Sequence, residues 1–324
     1  MSLRPLRLGT RASNLAVTQS TLVADALRAL GAEVELVMIR TAGDQRAPDT
    51  AWGEGAFVGA LEAALLEDRI DLAVHSAKDV PTTEDPRLRI AAFPPREDPR
   101  DALVCRERGS SLATLPHGAR VGTDSPRRTA FLLARRPDLH VHPLHGNVDT
   151  RLARLDAGDT DALILAVAGL NRLGRTDRIG EILDASVVPP APGQGALAVQ
   201  VRADDVVTGG WVGRLDDRAS RATVEAERAF LRASGGGCRA PIGALARIEG
   251  DDLVLVGAAA TEGSPAAAVN GASAPVAWGV ERAPVADRIA AAGRLAARLQ
   301  AELAVASAVE TIAAPPVAME ATTR

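Results

Sequence analysis

The chain has one lysine, Lys78, and 36 arginines, and Asp79 follows the lysine directly. A compact ammonium and a planar guanidinium are not interchangeable, so a lone lysine in an arginine-rich chain indicates a site that needs the ammonium. The alternative is an ordinary cation placed by chance, which one residue does not exclude. Lys78 and Asp79 follow closely after the apolar, strand-like run that contains Ala73–Val74. Ligand sites of α/β proteins lie at such strand ends. Lys78 and Asp79 are therefore the first candidates for chemistry.

Four predicted strand-to-helix turns carry hydroxyl, amide or guanidinium groups. They are Thr10–Ser13, His75–Lys78, Thr123–Arg128 and His145–Arg151. Such turns share one edge of a parallel sheet, and a helix N-terminus beside an arginine binds anions. Taken singly, each turn is more simply a helix N-cap. Together they predict a cleft for a ligand with several carboxylates, which pair well with arginine.

Two groups are candidates for reactivity. Asp79 either pairs structurally with Lys78, or moves a proton and balances a developing cation. Cys238 follows three glycines and precedes Arg239, which favours an open thiolate over the inert cysteine that is the alternative. Cys105, in an apolar run, is typical of an inert cysteine. The histidines show no spacing that predicts a metal site.

The order of elements predicts more than one domain. Strand-like and helical runs alternate over the first two-thirds, which is typical of mostly parallel sheets. The proline-rich segments Phe93–Arg100 and Val187–Gly195 predict crossings between domains, and Ala196–Val201 predicts a strand that returns to the first domain. A different pattern begins near Asp217, with a last helix near Val285–Ala306, and predicts a smaller α+β domain. The predicted domains are residues 1–97 with 195–216, residues 98–194 and residues 217–310, followed by a tail of residues 311–324.

Composition restricts the function. The net charge of −4, and the presence of only four Phe, three Trp and no Tyr, disfavour nucleic-acid binding. No apolar run reaches the ~18 residues of a membrane span. The N-terminus has no apolar signal-peptide core, and two cysteines make no disulfide framework, so we expect a cytoplasmic protein.

The sequence resembles the porphobilinogen deaminase (hydroxymethylbilane synthase) family from about Leu6 to Ala306. The densest matching segments are Gly9–Ser13, Ala73–Pro81, Arg96–Asp101, Val121–Arg128, Gly146–Leu152, Ala166–Gly174, Pro190–Ala196 and Ala226–Gly243. The resemblance implies an α/β fold of two doubly wound, periplasmic-binding-protein-like (type II) domains plus a smaller C-terminal α+β domain. It also implies a monomeric transferase of porphyrin and heme biosynthesis.

By this resemblance, Cys238 holds a dipyrromethane cofactor through a thioether. The enzyme condenses four porphobilinogen molecules head to tail with loss of ammonia, and then releases the linear tetrapyrrole hydroxymethylbilane by hydrolysis. Asp79 is the implied catalytic residue. The implied contacts to the cofactor are Lys78, Thr123, Ser125, Arg127, Arg128, Asn147 and Arg151. The implied contacts to the substrate and the growing chain are Arg11, Ser13, Gln19 and Arg172. Residues Thr41–Gly55 correspond to a lid.

Three positions depart from the family pattern. The family usually has Lys at Gly59 and Arg at His145, and often Ser at Asp124, so weaker binding of later intermediates is expected. Retention of a cation at His145 would depend on its protonation, which predicts activity that falls as pH rises. Three alternatives stay open: a two-lobed carboxylate-binding protein, a relic that binds tetrapyrroles without turnover, and a nucleic-acid-binding module. A carboxylate-binding protein would not need the thiol of Cys238. A relic would bind tetrapyrroles but form no product. The net acidity of the chain argues against a nucleic-acid-binding module.

Overall fold

The computed structural model describes residues 4–39, 58–83, 85–237, 240–261 and 275–313. The strands in these ranges are β1 (Leu6–Thr10), β2 (Val34–Met38), β3 (Leu72–Ser76), β4 (Leu88–Ala92), β5 (Asp101–Cys105), β6 (Arg120–Gly122), β7 (His140–His142), β8 (Ala162–Ala166), β9 (Glu181–Ile182), β10 (Leu197–Arg202), β11 (Ile242–Glu249), β12 (Asp252–Ala260) and β13 (Val276–Pro284). The α-helices are α1 (Asn14–Ala29), α2 (Gly59–Leu66), α3 (Pro126–Arg135), α4 (Val148–Asp156), α5 (Val167–Arg172), α6 (Val206–Gly213), α7 (Arg218–Ala233) and α8 (Arg288–Ala313). The predicted lid Thr41–Gly55 and Cys238 lie outside the described residues, as does the end of the tail beyond residue 313.

The first two sheets share one topology. Sheet 1 has the order β2-β1-β3-β10-β4, and sheet 2 has the order β7-β6-β8-β5-β9. In each, the first three strands are parallel, while the fourth strand is antiparallel to both of its neighbours. Four of the five strands in each sheet therefore run in the same direction, which confirms the expectation of mostly parallel sheets, and the fourth strand is reversed. The reason is that β10 and β5 each enter from the other unit through a crossing.

The helices begin where short polar side chains cap them. Ser13, Ser125, Asn147 and Asp217 accept hydrogen bonds from backbone N–H groups in the first turns of α1, α3, α4 and α7. Such caps satisfy N–H groups that have no partner inside a helix. Since α3 and α4 follow β6 and β7 directly, their first turns lie at the carboxyl edge of sheet 2.

The third unit is an antiparallel sheet covered by two helices. Its strand order is β11-β12-β13, and α7 and α8 pack on it through a core that includes Phe230 and Leu295, both 0% exposed. Phe131 of α3 meets Trp278 of β13 edge to face, with ring centroids 5.1 Å apart. The third unit therefore also packs on the second unit.

The fold class predicted from the sequence is confirmed: two doubly wound α/β units of the type II binding-protein arrangement and a smaller α+β unit. Among the described residues, no helix is long and apolar enough to cross a membrane.

Candidate active site

The turn that carries Lys78 and Asp79 is held from two sides. A short 3-10 helix, Ala77–Asp79, follows β3 at the carboxyl edge of sheet 1. The guanidinium of Arg228 on α7 donates to the backbone oxygen of Val80, at 2.8 Å. On the other side, Gly193 has a φ of +77°, and a Cβ there would lie 3.3 Å from the backbone N of Lys78. The third unit and the second crossing thus fix this turn.

Asp79 lies in a partly dry environment between cations. Burial raises its pKa, and the charges of Lys78 and Arg11 offset part of that rise. Because little water screens such a carboxyl, it interacts strongly with positive charge that develops nearby. A raised pKa also makes it a stronger proton acceptor than an ordinary aspartate.

Lys78 is bound to the second crossing. Its Nζ donates to Oε1 of Gln194 at 3.1 Å. Desolvation, followed by the charge of Arg128, lowers the pKa of Lys78 to about 8, although Asp79 and Asp101 raise it. Both lowering effects disfavour the ammonium, so an added anion would stabilise it.

Two consecutive arginines are buried in the first turn of α3. Arg127 and Arg128 are 3% and 6% exposed, and Asp101 at the start of β5 binds both. Its Oδ1 lies 2.7 Å from Nη2 of Arg128, and its Oδ2 lies 2.8 Å from Nη1 of Arg127. Burial raises the pKa of Asp101, but the two guanidinium groups bring it well below its usual range. One carboxylate therefore faces two guanidinium groups and the ammonium of Lys78.

Thr123 and Ser125 shape the turn before these arginines. Oγ of Ser125 accepts from the backbone N of Arg128 at 3.4 Å, which caps α3. The backbone N of Ser125 donates to Oγ1 of Thr123 at 3.3 Å. Both predicted hydroxyls thus lie at the same helix start as Arg127.

Asn147 and Arg151 occupy the neighbouring helix start. Asn147 caps α4, and Nε of Arg151 donates to the backbone oxygen of Gly146 at 2.9 Å. Desolvation and the charge of Arg128 lower the pKa of Arg151 to about 10, while Asp124 raises it. Arg151 therefore belongs to the same electrostatic cluster as Arg128.

Asp124 and His145, two of the departures from the family pattern, are in contact. Nδ1 of His145 lies 3.0 Å from Oδ2 of Asp124, and the two side chains are 14% and 19% exposed. The contact arises because β6 and β7 are adjacent parallel strands, so the turns after them meet. The sequence reasoning treated them as independent changes.

The predicted substrate residues lie on the facing edge. Ser13 caps α1, and Nε2 of Gln19 donates to Oγ of Ser76 at 3.2 Å. The charge of Arg11 acts on Asp79, so the Arg11 guanidinium lies near the turn Ala77–Asp79.

Arg172 approaches from the end of α5. It donates to the backbone oxygen of Gly195 at 2.7 Å, next to Gln194. Desolvation lowers its pKa, and Glu97 partly opposes this. Apart from Cys238, which lies outside the described part of the chain, the predicted site residues lie at the strand-to-helix turns of sheets 1 and 2 or on the helices that follow those turns.

Sequence reasoning missed three buried polar residues behind the site. These are Asp101, Gln194 and Glu227, each 0% exposed. A charged residue directly before the apolar run of β5, and a glutamine between two glycines in the second crossing, were the available signals. Neither residue belongs to a periodic sequence pattern, so the sequence pattern does not identify them. Cys105, by contrast, fits its prediction: burial raises the pKa of its thiol to about 11, so the thiol stays protonated at neutral pH.

The donor set suits a ligand that carries several carboxylates. Lys78, Arg127, Arg128 and Arg151 are buried or partly buried cations, and the carboxylates that act on them are fewer: Asp79, Asp101 and Asp124. An organic polyanion such as the acetate- and propionate-bearing dipyrromethane therefore complements the charge of these residues.

Fold and site together define a two-lobed α/β protein, with an attached α+β unit, in which buried and partly buried cations cluster at the strand-to-helix turns of both sheets. Comparison with known proteins narrows this class. The family profile "Porphobilinogen deaminase, dipyromethane cofactor binding domain" matches residues 6–209, and "Porphobilinogen deaminase, C-terminal domain" matches residues 221–270. The chain belongs to the porphobilinogen deaminase family.

Individual porphobilinogen deaminases match this chain over most of their length. The porphobilinogen deaminase of Nocardia farcinica is 49% identical over 306 residues, which cover 92% of this chain and 86% of that protein. That of Acidothermus cellulolyticus is 52% identical over 261 residues, 78% of each chain. Among solved structures, the methionine-binding protein MetQ has 14% identity and a TM-score of 0.44, and covers 65% of this chain and 89% of its own.

Proposed function

We propose that this protein is a hydroxymethylbilane synthase, a transferase of porphyrin and heme biosynthesis. It joins four porphobilinogen molecules head to tail with loss of ammonia, and releases the linear tetrapyrrole hydroxymethylbilane by hydrolysis. The observation that carries the proposal is the cluster of Lys78, Arg127 and Arg128 around a single carboxylate, directly beside Asp79. Each pyrrole of this substrate carries two carboxylates, so the cluster and the substrate have complementary charge.

The proposed cofactor is a dipyrromethane bound covalently to Cys238. When bound, it supplies the pyrrole to which the first substrate unit is joined. The residues proposed to hold its carboxylates are Lys78, Thr123, Ser125, Arg127, Arg128, Asn147 and Arg151. Their support is charge and position: the arginines and Lys78 supply positive charge at three adjacent turns, and the capping residues fix those turns.

Asp79 is proposed as the catalytic residue. Loss of ammonia from porphobilinogen leaves a cationic methylene-pyrrole, and a fixed carboxylate stabilises that charge. The desolvation that raises the pKa of Asp79 also strengthens this interaction, because water does not compete with it. The same carboxyl can take up the proton that a pyrrole carbon releases when the new bond forms.

Arg11, Ser13, Gln19 and Arg172 are proposed to bind the incoming substrate and the growing chain. Arg11 acts on Asp79 and Gln19 binds Ser76 of β3, so both lie next to the catalytic turn. Arg172 lies at the boundary of the two α/β units, where its desolvated guanidinium favours a carboxylate partner.

We further propose three domains with the bounds given above: residues 1–97 with 195–216, residues 98–194, and residues 217–310. The return of β10 to sheet 1 supports the discontinuous first domain. We also propose a cytoplasmic monomer that acts on a small molecule and binds neither nucleic acid nor membrane. The net charge of −4 supports the absence of nucleic-acid binding.

The function is tested by intact mass and by product analysis. The purified protein should carry an adduct of two pyrrole units, before or after incubation with porphobilinogen. Cys238→Ser should lack the adduct, and Cys105→Ser should retain it. Asp79→Asn should form hydroxymethylbilane at least ~100-fold more slowly than wild type. Binding of porphobilinogen without any product would instead favour a carrier or a relic.

A further inference from the structure

Gln194 lies at the centre of the second crossing and uses every polar atom of its side chain. Its Oε1 accepts from Nζ of Lys78 at 3.1 Å. Its Nε2 donates to Oδ1 of Asp101 at 2.9 Å and to the backbone oxygen of Pro99 at 2.8 Å. The side chain is 0% exposed, so water does not replace any of these partners. The amide therefore joins the catalytic turn of the first unit to β5 of the second.

The two neighbours determine both the residue type and its orientation. An ammonium can only donate a hydrogen bond and an ionised carboxylate can only accept one, so the amide oxygen must face Lys78 and the amide nitrogen must face Asp101. A glutamate would present a second negative charge to Asp101, and a methionine would satisfy neither partner. A glutamine is the side chain of this length that satisfies both.

The amide also joins the two charged groups without adding charge. Lys78 is surrounded by Arg127 and Arg128 on α3, by Asp101 on β5 and by Asp79 on its own turn. A neutral link to Lys78 leaves the excess positive charge of this cluster available to a ligand. A carboxylate in its place would neutralise the ammonium internally.

We propose that Gln194 is a positioning residue, which aims the Lys78 ammonium at the carboxylate of a bound pyrrole without adding a further negative charge beside it. The inference rests on the proposed function, since it names what the ammonium is held for. It differs from a purely structural role, in which Gln194 only ties the crossing to β5.

The chain itself offers a matched control. Gln200 on β10 is also 0% exposed and also bridges two side chains: its Oε1 lies 3.0 Å from Nε2 of His75, and its Nε2 donates to Glu62 at 2.9 Å. Gln200→Met should therefore reproduce the loss of a buried bridging amide without touching Lys78.

The single lysine makes the test direct. Biosynthetic labelling with ¹³C- and ¹⁵N-lysine gives one side-chain signal, and its pH titration reports Lys78 alone in the purified protein. Gln194→Glu should raise the titration midpoint by at least about one pH unit, because a carboxylate replaces the amide oxygen. Gln194→Met should lower it, because the ammonium loses its acceptor. Gln200→Met should leave it unchanged.

Kinetics give a second readout. Gln194→Glu should raise KM for porphobilinogen severalfold. The pH above which kcat/KM falls should also increase, by the same amount as the titration midpoint of Lys78. In the wild-type protein, the side-chain amide signal of Gln194 should titrate with the same midpoint as Lys78. This last measurement applies even if a variant fails to fold.

Unchanged Lys78 midpoints in folded Gln194→Glu and Gln194→Met proteins would overturn the proposal. So would a wild-type Gln194 amide signal that ignores the titration of Lys78. The titration does not depend on turnover, whereas failure of the proposed function would appear as absence of hydroxymethylbilane from the wild-type protein. The two failures are therefore distinguishable.

Discussion

At the scale of single residues, the site works through desolvation of a few charges. Lys78, Asp79 and Arg151 all have pKa values moved in the direction that burial favours. Groups shifted in this way are more sensitive to a bound ion than surface groups, because their charge interacts in a medium of lower dielectric constant. The first two predictions follow from this sensitivity.

The first prediction concerns pH. The pKa of Lys78 is lowered to about 8, so the ammonium that we propose to bind a carboxylate is present below pH 8 and is lost as pH rises above it. We expect kcat/KM to fall through an alkaline limb near pH 8, measured between pH 6 and pH 10. Lys78→Arg, whose guanidinium stays charged, should remove that limb whatever its absolute activity. A limb that remains near pH 8 in Lys78→Arg would assign it to another group.

The second prediction concerns Asp124 and His145. Since Asp124 faces both His145 and Arg151, Asp124→Asn should leave more positive charge for substrate and lower KM by about 2–5-fold, the range of a partly exposed ion pair. His145→Gln should raise KM by a similar factor. The double variant should deviate from the product of the single effects, because the side chains are in contact. Strictly multiplicative effects on KM would show that the two residues act independently.

How far the site could be predicted depended on the kind of residue. The capping residues and cations, such as Ser13 and Arg128, lie at strand-to-helix turns that the pattern of strands and helices reveals. Asp101, Gln194 and Glu227 instead act through partners 19 or more residues away in sequence. Long-range hydrogen bonds leave no local periodicity, so sequence reasoning could not find them.

At the scale of elements, propensity and tertiary packing sometimes disagree. Helix α6 contains Gly209 and reads as a loop, yet Asp205 caps it, and a Cβ at Gly209 would overlap the guanidinium of Arg89. Strand β13 contains Gly279, where a Cβ would lie 2.7 Å from Cδ1 of Leu295 on α8. In β13 close packing against buried Leu295 favours glycine, whereas the sequence alone presents a glycine in a strand as a breaker. The sequence pattern therefore predicts neither α6 nor β13, although helices α1, α3 and α4 do follow the turns that it predicts.

The element with the widest influence is α7, which joins all three units. Glu227 on α7 binds Arg96 of the first crossing with both oxygens, at 2.7 and 2.8 Å. The same carboxylate accepts from the backbone N of Gly193 in the second crossing at 2.7 Å, and from the backbone N of Ala246 in β11 at 2.8 Å. Both crossings and the third sheet thus depend on one buried negative charge.

The third prediction follows from that arrangement. Glu227→Gln keeps the side-chain shape but leaves Arg96 without its counter-charge, which should cost about 3–5 kcal/mol of unfolding free energy. Glu225→Gln on the same helix is the matched control: Glu225 is 30% exposed and pairs with Arg288, so its loss should cost less than about 1 kcal/mol. Urea unfolding followed by circular dichroism measures both. Equal stability of the two variants would contradict a special role for Glu227.

At the scale of the whole molecule, the two α/β units also touch where α1 and α4 begin. Nδ2 of Asn14, the first residue of α1, donates to Oδ2 of Asp149 in the first turn of α4, at 2.9 Å. Arg175 lies 3.9 Å from the same carboxylate. A growing tetrapyrrole needs more room than one pyrrole, and we expect the two units to separate at the contact between Asn14 and Asp149, which we call the mouth of the proposed cleft.

The last prediction tests that contact by exchanging its two partners. Asn14→Asp places a carboxylate against Asp149, and the repulsion should widen the mouth, which small-angle X-ray scattering would detect as a larger radius of gyration. An acidic residue in the first turn also suits the dipole of α1, so the helix itself should not weaken. The double variant Asn14→Asp with Asp149→Asn restores an amide–carboxylate pair of opposite direction, and should return the radius and KM toward wild type. If the single and double variants have the same radius and the same KM, the width of the cleft is set by the crossings alone, and the contact at the mouth does not control access.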